Sequence, residues 1–162
     1  MSKSIYVASP LGFSEAGRYF MQKVLFPLLS AHHFQIIDPW TLTDAHLLNS
    51  VNALPYGAQK QQAWQTLNHT IAQNNCNAIK NADALLAILD GTDVDSGTAS
   101  EIGFAAALQK VIIGYRGDFR LNGDNEGAIV NLQVQYFIQA SGGSISTNLN
   151  QLNQALASFA SL

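Results

Sequence analysis

The sequence predicts an α/β fold: a doubly wound, mainly parallel sheet of about five strands flanked by helices. Three observations point to it. Short apolar runs alternate with longer helix-like segments along all 162 residues. The run "ADALLAILD" (82–90) is apolar between polar ends, the pattern of a strand covered on both faces. The resulting β-α-β-α order calls for parallel strands joined by right-handed crossovers, as in flavodoxin- or Rossmann-like sheets. The length suits a single domain over residues 1–162, large enough to bury a core.

Taken in order, "SIYVAS" (4–9) is β-branched and aromatic and stops at Pro10 and Gly12, so it is a strand. Residues 14–31 place Phe20, Val24, Leu28 and Ala31 at helical spacing behind Ser14 as a cap, with Pro27 expected to kink or shorten the helix. "FQIIDP" (34–39) is a second strand. Residues 40–58 hold a short helix around 44–51 before Pro55 and Gly57, a segment of the kind that covers a site. Residues 60–81 form one long helix with Ala63, Leu67, Ile71, Asn74 or Asn75, and Ala78 on one face.

After the strand at 82–90, "TASEIGFAAALQK" (98–110) is an Ala-rich helix and "VIIGY" (111–115) a buried strand. Residues 127–141 are a helix and "SGGSIS" a turn or linker. The tail closes with an amphipathic helix carrying Leu149, Leu152, Leu156 and Phe159 on one side.

Composition removes several function classes. Charged residues make up 12% of the chain and the net charge is −3, so no basic footprint for nucleic acid exists. A surface with so few charges suits a homo-oligomer. The one cysteine, Cys76, excludes an internal disulfide and fits a reducing compartment as a small buried or half-buried side chain. The start "MSKSIYVAS" lacks the apolar core of a signal peptide, and no stretch approaches a membrane span. A cytoplasmic protein without membrane association is expected.

"DVDSGTASEIGFA" (93–105) concentrates carboxylates in a chain that is otherwise poor in charge. In a doubly wound sheet, ligands sit beyond the carboxyl ends of strands where the strand order reverses. Here those ends are "SPLGF" (9–13) and Asp90, and together they would form two walls of one cleft. Two readings of the acids stand side by side. Thr98 and Glu101 have the spacing of a capping box that begins a helix, with Asp95, Ser96 and Gly97 shaping the turn. Alternatively Glu101, in the first helical turn near the positive end of the dipole, is an ionised nucleophile or the partner of a cationic transition state, and Asp95 accepts hydrogen bonds from substrate hydroxyls. The two are compatible, because a capping glutamate keeps a free oxygen.

Other chemistry finds no motif. "SPLGF" has one glycine where a dinucleotide site has three, "GTDVDSG" lacks the GK[ST] of a phosphate loop, and no G-x-S-x-G elbow occurs. His32, His33, His46 and His69 lack metal-ligand spacing, so neither metal nor cofactor is expected. Trp40 and Trp64 suit core or cover positions, although Trp40 follows a strand end and equally suits a stacking role.

"IYVASPLGF", "IKNADALLAILDGTDVDSGTASEIGFAAALQK" and "NLQ" (131–133) together resemble the nucleoside 2-deoxyribosyltransferase family over most of residues 4–137. The most specific element is D-S-G-T-x-x-E-[IL]-G-[FY]-A at 95–105. The resemblance implies exchange of the base of a 2'-deoxynucleoside for a free nucleobase through a covalent deoxyribosyl-enzyme. It implies Glu101 as the nucleophile at C1', Tyr6 as the group that orients it, and Asp95 as the holder of a sugar hydroxyl. Asn131 would reach the sugar's 5' side from a neighbouring subunit, making the active site shared within a homo-oligomer. Phe13 with Leu11, Gly12 and the rest of the 10–14 loop would wall the base.

There is one departure. Where some relatives carry an aspartate that protonates the leaving base, this chain has Asn75, which can orient a base but not protonate it. Either the proton comes from Asp90, Asp93 or water, or the purine and pyrimidine preference differs. Two other functions compete. One is hydrolysis of 2'-deoxynucleosides or their 5'-monophosphates, for which Ser9, Ser14 and Arg18 would serve the phosphate. The other is a non-catalytic nucleotide-sensing module.

Overall fold

The computed structural model describes residues 2–162, and its sheet has the order β2-β1-β3-β4-β5 with every neighbouring pair parallel. The strands are β1 (Ser4–Ala8), β2 (Gln35–Ile37), β3 (Ala84–Ile88), β4 (Val111–Tyr115) and β5 (Ile145–Ser146). The order reverses between β1 and β3, whose registered pairs run from Ile5↔Ala84 to Ala8↔Ala87. A cleft is therefore expected beyond Ala8 and Ile88.

Alternation along the strands sends side chains to two cores. Tyr6, Ala8, Leu85, Ala87 and Ile112 face α4 (Ala58–Asn81), α5 (Ser96–Ala107) and α6 (Leu132–Ala140). Ile5, Val7, Leu86, Ile88 and Ile113 face the opposite helices, α1 (Glu15–Phe20), α2 (Phe26–Ala31) and α7 (Leu149–Ser161). All five residues of β3 are buried, as its unbroken apolar run requires.

Several expectations are corrected in detail. The helix over 14–31 neither breaks nor shortens at Pro27. A single π-helical stretch, Met21–Leu25, precedes the proline, and Phe26 N–H donates to Met21 O. The wide turn absorbs the disruption of a residue that lacks an N–H and crowds the preceding turn. The strand at 34–39 ends at Ile37, because the Asp38 carboxylate accepts from Trp40 N–H and opens a 3-10 turn at Pro39–Thr41. The segment read as a turn, "SGGSIS", contains β5, which pairs Ile145 and Ser146 with Gly114 and Tyr115. Its glycines permit this, since a Cβ on Gly143 would sit 1.8 Å from Ile112 O.

The helix expected over 127–141 begins at Leu132. Asn131 caps it by accepting from Gln133 N–H at 3.0 Å and Val134 N–H at 3.3 Å, so the preceding residues stay outside the helix. The short helix around 44–51 is α3 (Ala45–Asn52), capped by Asp44. No helix among the described residues is long and apolar enough to cross a membrane.

The C-terminal stripe is part of the core: Leu152 and Leu156 are fully buried and the Phe159 ring stacks on Phe34 at 5.9 Å. Leu156→Ala is expected to cost about 2–5 kcal/mol, the range for truncating a buried leucine. Urea unfolding checks this. A loss below about 1 kcal/mol would mean that α7 only rests against the sheet.

Candidate functional site

A cavity of about 380 Å³ opens at the reversal point, a volume suited to a small molecule. Ser9 and Phe13 approach it from the end of β1, Pro39 and Trp40 from the end of β2, Asn68, Ile71 and Asn75 from α4, and Asp95, Gly97, Thr98 and Glu101 from the start of α5. A larger groove of about 590 Å³ runs past Tyr56, Lys60 and Trp64. It holds no carboxylate, so the smaller cavity is the one equipped for chemistry.

The acids are arranged differently from a capping box. Asp95 is the N-cap of α5, its Oδ2 accepting from Thr98 N–H at 2.9 Å and from the Thr98 hydroxyl at 3.2 Å. The cap thus lies three residues before the expected Thr98, and the helix starts at Ser96. Glu101 falls in the second turn, beyond the reach of the terminal dipole, and no acid occupies the first turn. The aspartate wins the cap because its carboxylate satisfies both donors of Thr98 at once.

Tyr6 does for Glu101 what the dipole does not. The strand β1 carries Tyr6 in the innermost core, fully buried, and its hydroxyl donates to Glu101 Oε1 at 2.6 Å. Burial pushes the Tyr6 pKa far above the usual phenol range, and the adjacent Glu101 charge and hydrogen bond push it further, so Tyr6 remains a donor. For Glu101, burial raises the pKa, the Tyr6 hydrogen bond opposes the shift, and the Asp95 charge adds to it. The pair is a half-buried carboxylate held ready by one short charge-assisted bond.

The outer wall is aromatic. The rings of Phe13 and Trp40 meet edge to face at 4.6 Å and 88°. The Trp40 indole N–H donates to Ser9 O at 3.3 Å, while Ser9 Oγ accepts from Leu11 N–H at 3.0 Å. Gly12 is required beneath that indole, since a Cβ there would lie 2.1 Å from Trp40.

Of the residues singled out in the sequence, Glu101, Asp95, Phe13 and Asn75 line the cleft, and Tyr6 reaches it through Glu101. Leu11 and Gly12 support the wall from behind. Two candidates lie elsewhere. Asp90 Oδ1 accepts from Asp118 N–H at 2.8 Å, and its loop is tied to buried Arg116, which donates to the carbonyls of Leu89, Gly91 and Arg120. Asn131 caps α6 outside this chain's cleft. Sequence reasoning missed Asn68 and Ile71, although their spacing to Asn75 places all three along one helical face. No group of three or more metal-ligating side chains occurs among the described residues.

A model of the nucleoside 2-deoxyribosyltransferase family matches residues 5–133. The fold resembles three solved structures closely. A conserved protein from Enterococcus faecalis is 21% identical with a TM-score of 0.70, over 98% of this chain and 99% of that one. A 2-desoxiribosyltransferase from Leishmania mexicana is 23% identical with a TM-score of 0.65, over 98% and 97%. A 2-deoxyribosyltransferase from Bacillus psychrosaccharolyticus is 21% identical with a TM-score of 0.62, over 93% and 90%. No curated protein matches the chain significantly.

The raised pKa of Glu101 has a stability consequence with a definite sign. Its contribution is fully present below the unfolded carboxyl pKa and is lost as pH rises through the higher folded value, so the ionised form costs stability at neutral pH. Glu101→Gln is therefore expected to melt at a higher temperature than the parent at pH 7.5, with the gap closing near pH 4. Thermal unfolding at the two pH values tests this. A variant less stable at both would mean that the carboxylate itself holds the site together.

Proposed function

The chain belongs to the nucleoside 2-deoxyribosyltransferase family, and we propose that it exchanges the base of a 2'-deoxynucleoside for a free nucleobase by double displacement at Glu101. The observation that carries this reading is the Tyr6–Glu101 bond at the wall of the cleft, with the Asp95 carboxylate alongside. Breaking an N-glycosidic bond builds positive charge on the sugar, and a desolvated, oriented carboxylate stabilises that charge most in the transition state.

Glu101 attacks C1' opposite the base, the C1'–N bond breaks with its electron pair going to the base, and an ester to the sugar results. A free base then attacks C1', returning the pair to the carboxylate, so the β configuration is retained. Asp95 accepts from a sugar hydroxyl through the oxygen that its cap leaves free. Phe13 and Trp40 confine the base.

The cleft favours a nucleoside over a nucleotide. Its lining includes two carboxylates and, among the described residues, no Lys or Arg, a field that repels a phosphate. Arg18 is engaged elsewhere, donating to Gly12 O at 2.9 Å and facing the neighbouring cavity. A second copy of the chain completes the site in this reading. Asn131 spends its Oδ1 on the cap, and its Nδ2, held by a long 3.5 Å contact to Asp124 Oδ1, is the end offered to the 5' side of the partner's sugar. A closed, shared cleft also keeps water from the ester.

Chromatography of the protein with deoxyinosine and free adenine tests the proposal. Deoxyadenosine that forms only with adenine, and that falls by roughly 10³-fold or more in Glu101→Ala, is expected. Release of hypoxanthine at a rate indifferent to adenine would make the protein a hydrolase. Its failure to turn over any nucleoside would return the glutamate to a structural role.

A further inference from the structure

The Tyr6–Glu101 pair has a third member. Asn75 of α4 places its Nδ2 3.5 Å from the same oxygen, Glu101 Oε1, and it lines the cleft beside that residue. This is a long contact, of the kind that tightens once substrate is bound. An ionised carboxylate accepts only the NH₂ end of an amide, so the charge on Glu101 fixes which way Asn75 faces. Its Oδ1 is left buried with no partner. An unpaired buried acceptor is destabilising, so the amide does not sit there for the benefit of the fold.

Two donors thus converge on Oε1, and among the described residues none reaches Oε2. Oε2 is the oxygen left free for the sugar carbon. At the same time the cleft has no acid to spare for the leaving base. Asn75 has no acidic proton. Asp95 uses its carboxylate to accept from Thr98, and Glu101 is the attacking group. Asp38 lies behind Trp40 in the adjacent cavity, with its Oδ1 accepting from Trp40 N–H at 3.1 Å. Cys76 is not among the residues that line this cleft and faces an adjoining, largely apolar cavity that Asn75 and Glu101 also border.

Resting on the functional reading above, we infer that Asn75 is a positioning residue: with Tyr6 it holds Oε1 so that Oε2 attacks C1', and the base leaves without a proton from the chain. The Oε2–C1' bond forms, the C1'–N pair goes to the base nitrogen, and solvent supplies the proton that neutralises the base. In the return step the acceptor nitrogen bonds to C1' and loses its proton to solvent, and the Oε2–C1' pair returns to the carboxylate. Through both steps Oε1 keeps its two donors, first as carboxylate and then as ester carbonyl, so they stabilise the charge that reappears there. Donor substrates are then ranked by how well the base departs unaided.

The test is kcat/KM for a series of 5-substituted deoxyuridines of graded base acidity, with adenine as acceptor. The parent and the variants Asn75→Asp, Asn75→Ala and Asp38→Asn are compared, each checked for folding by circular dichroism. The parent rates are expected to climb steeply with base acidity, spreading about 10²-fold further than those of Asn75→Asp, in which a carboxylic acid can share the proton. Asn75→Ala is expected to lose about tenfold or more on every member while keeping the steep trend. Asp38→Asn is expected to leave the trend unchanged.

A flat series in the parent would overturn the inference while leaving the transferase reading intact. So would a series that steepens in Asp38→Asn, which would identify Asp38 as the acid. Failure of the parent to turn over any member would overturn both.

Discussion

Burying a carboxylate costs free energy, and the cleft is organised around the short hydrogen bond that does most to offset the cost for Glu101. Its donor, the Tyr6 hydroxyl, is carried by an interior strand of the sheet, where the ring is fully buried. Because β1 and β3 are neighbours, the helix that follows β3 starts beside the end of β1, and its second turn passes over that hydroxyl. The position of Glu101 is thus set by backbone topology at one end and by a rigid phenol at the other. A site fixed in this way keeps its geometry before substrate arrives, which is where electrostatic catalysis gains most.

The walls follow from smaller constraints. Asp38 ends β2 early and turns Trp40 back over the loop after β1. The indole then needs a glycine beneath it and a carbonyl beside it, which Gly12 and Ser9 supply. Phe13 closes against the indole, the two rings perpendicular. In the proposed function a base between such faces is bound by area and shape, while the sugar meets the acids. The shortage of charge extends to the cleft: among the described residues its two carboxylates share the lining with no Lys or Arg, and in the proposed function their combined field serves a sugar that becomes positive.

Much of this was legible in the sequence, and the exceptions have physical causes. The unbroken apolar run at 82–90 identified the central parallel strand, since only two-sided cover tolerates such a pattern. Glu101, Asp95 and Tyr6 stood out through a spaced motif and a strand position. Periodicity placed the faces of α4 and α7. The start of α5 was misread because two overlapping sequences, D-S-G-T and T-A-S-E, both satisfy helix-start rules, and only the geometry of Thr98 decides between them. β5 escaped because two residues carry no period, and its formation depends on glycines that let it approach β4. The π turn before Pro27 depends on how a helix yields to a proline, which local propensity does not encode. Trp40 allowed both a packing and a stacking role, and its reach over Gly12 is a tertiary fact.

The central claim is that Glu101 becomes covalently joined to the sugar, and trapping that ester tests it most directly. The protein would be mixed with a deoxynucleoside in the absence of acceptor base, quenched in acid within one turnover, digested and examined by mass spectrometry. A mass increase of one 2-deoxyribosyl unit on the peptide that contains Glu101, absent from Glu101→Gln, is the predicted result. An unmodified peptide from a preparation that exchanges bases at full rate would contradict the account, and would assign the chemistry to direct displacement at C1'.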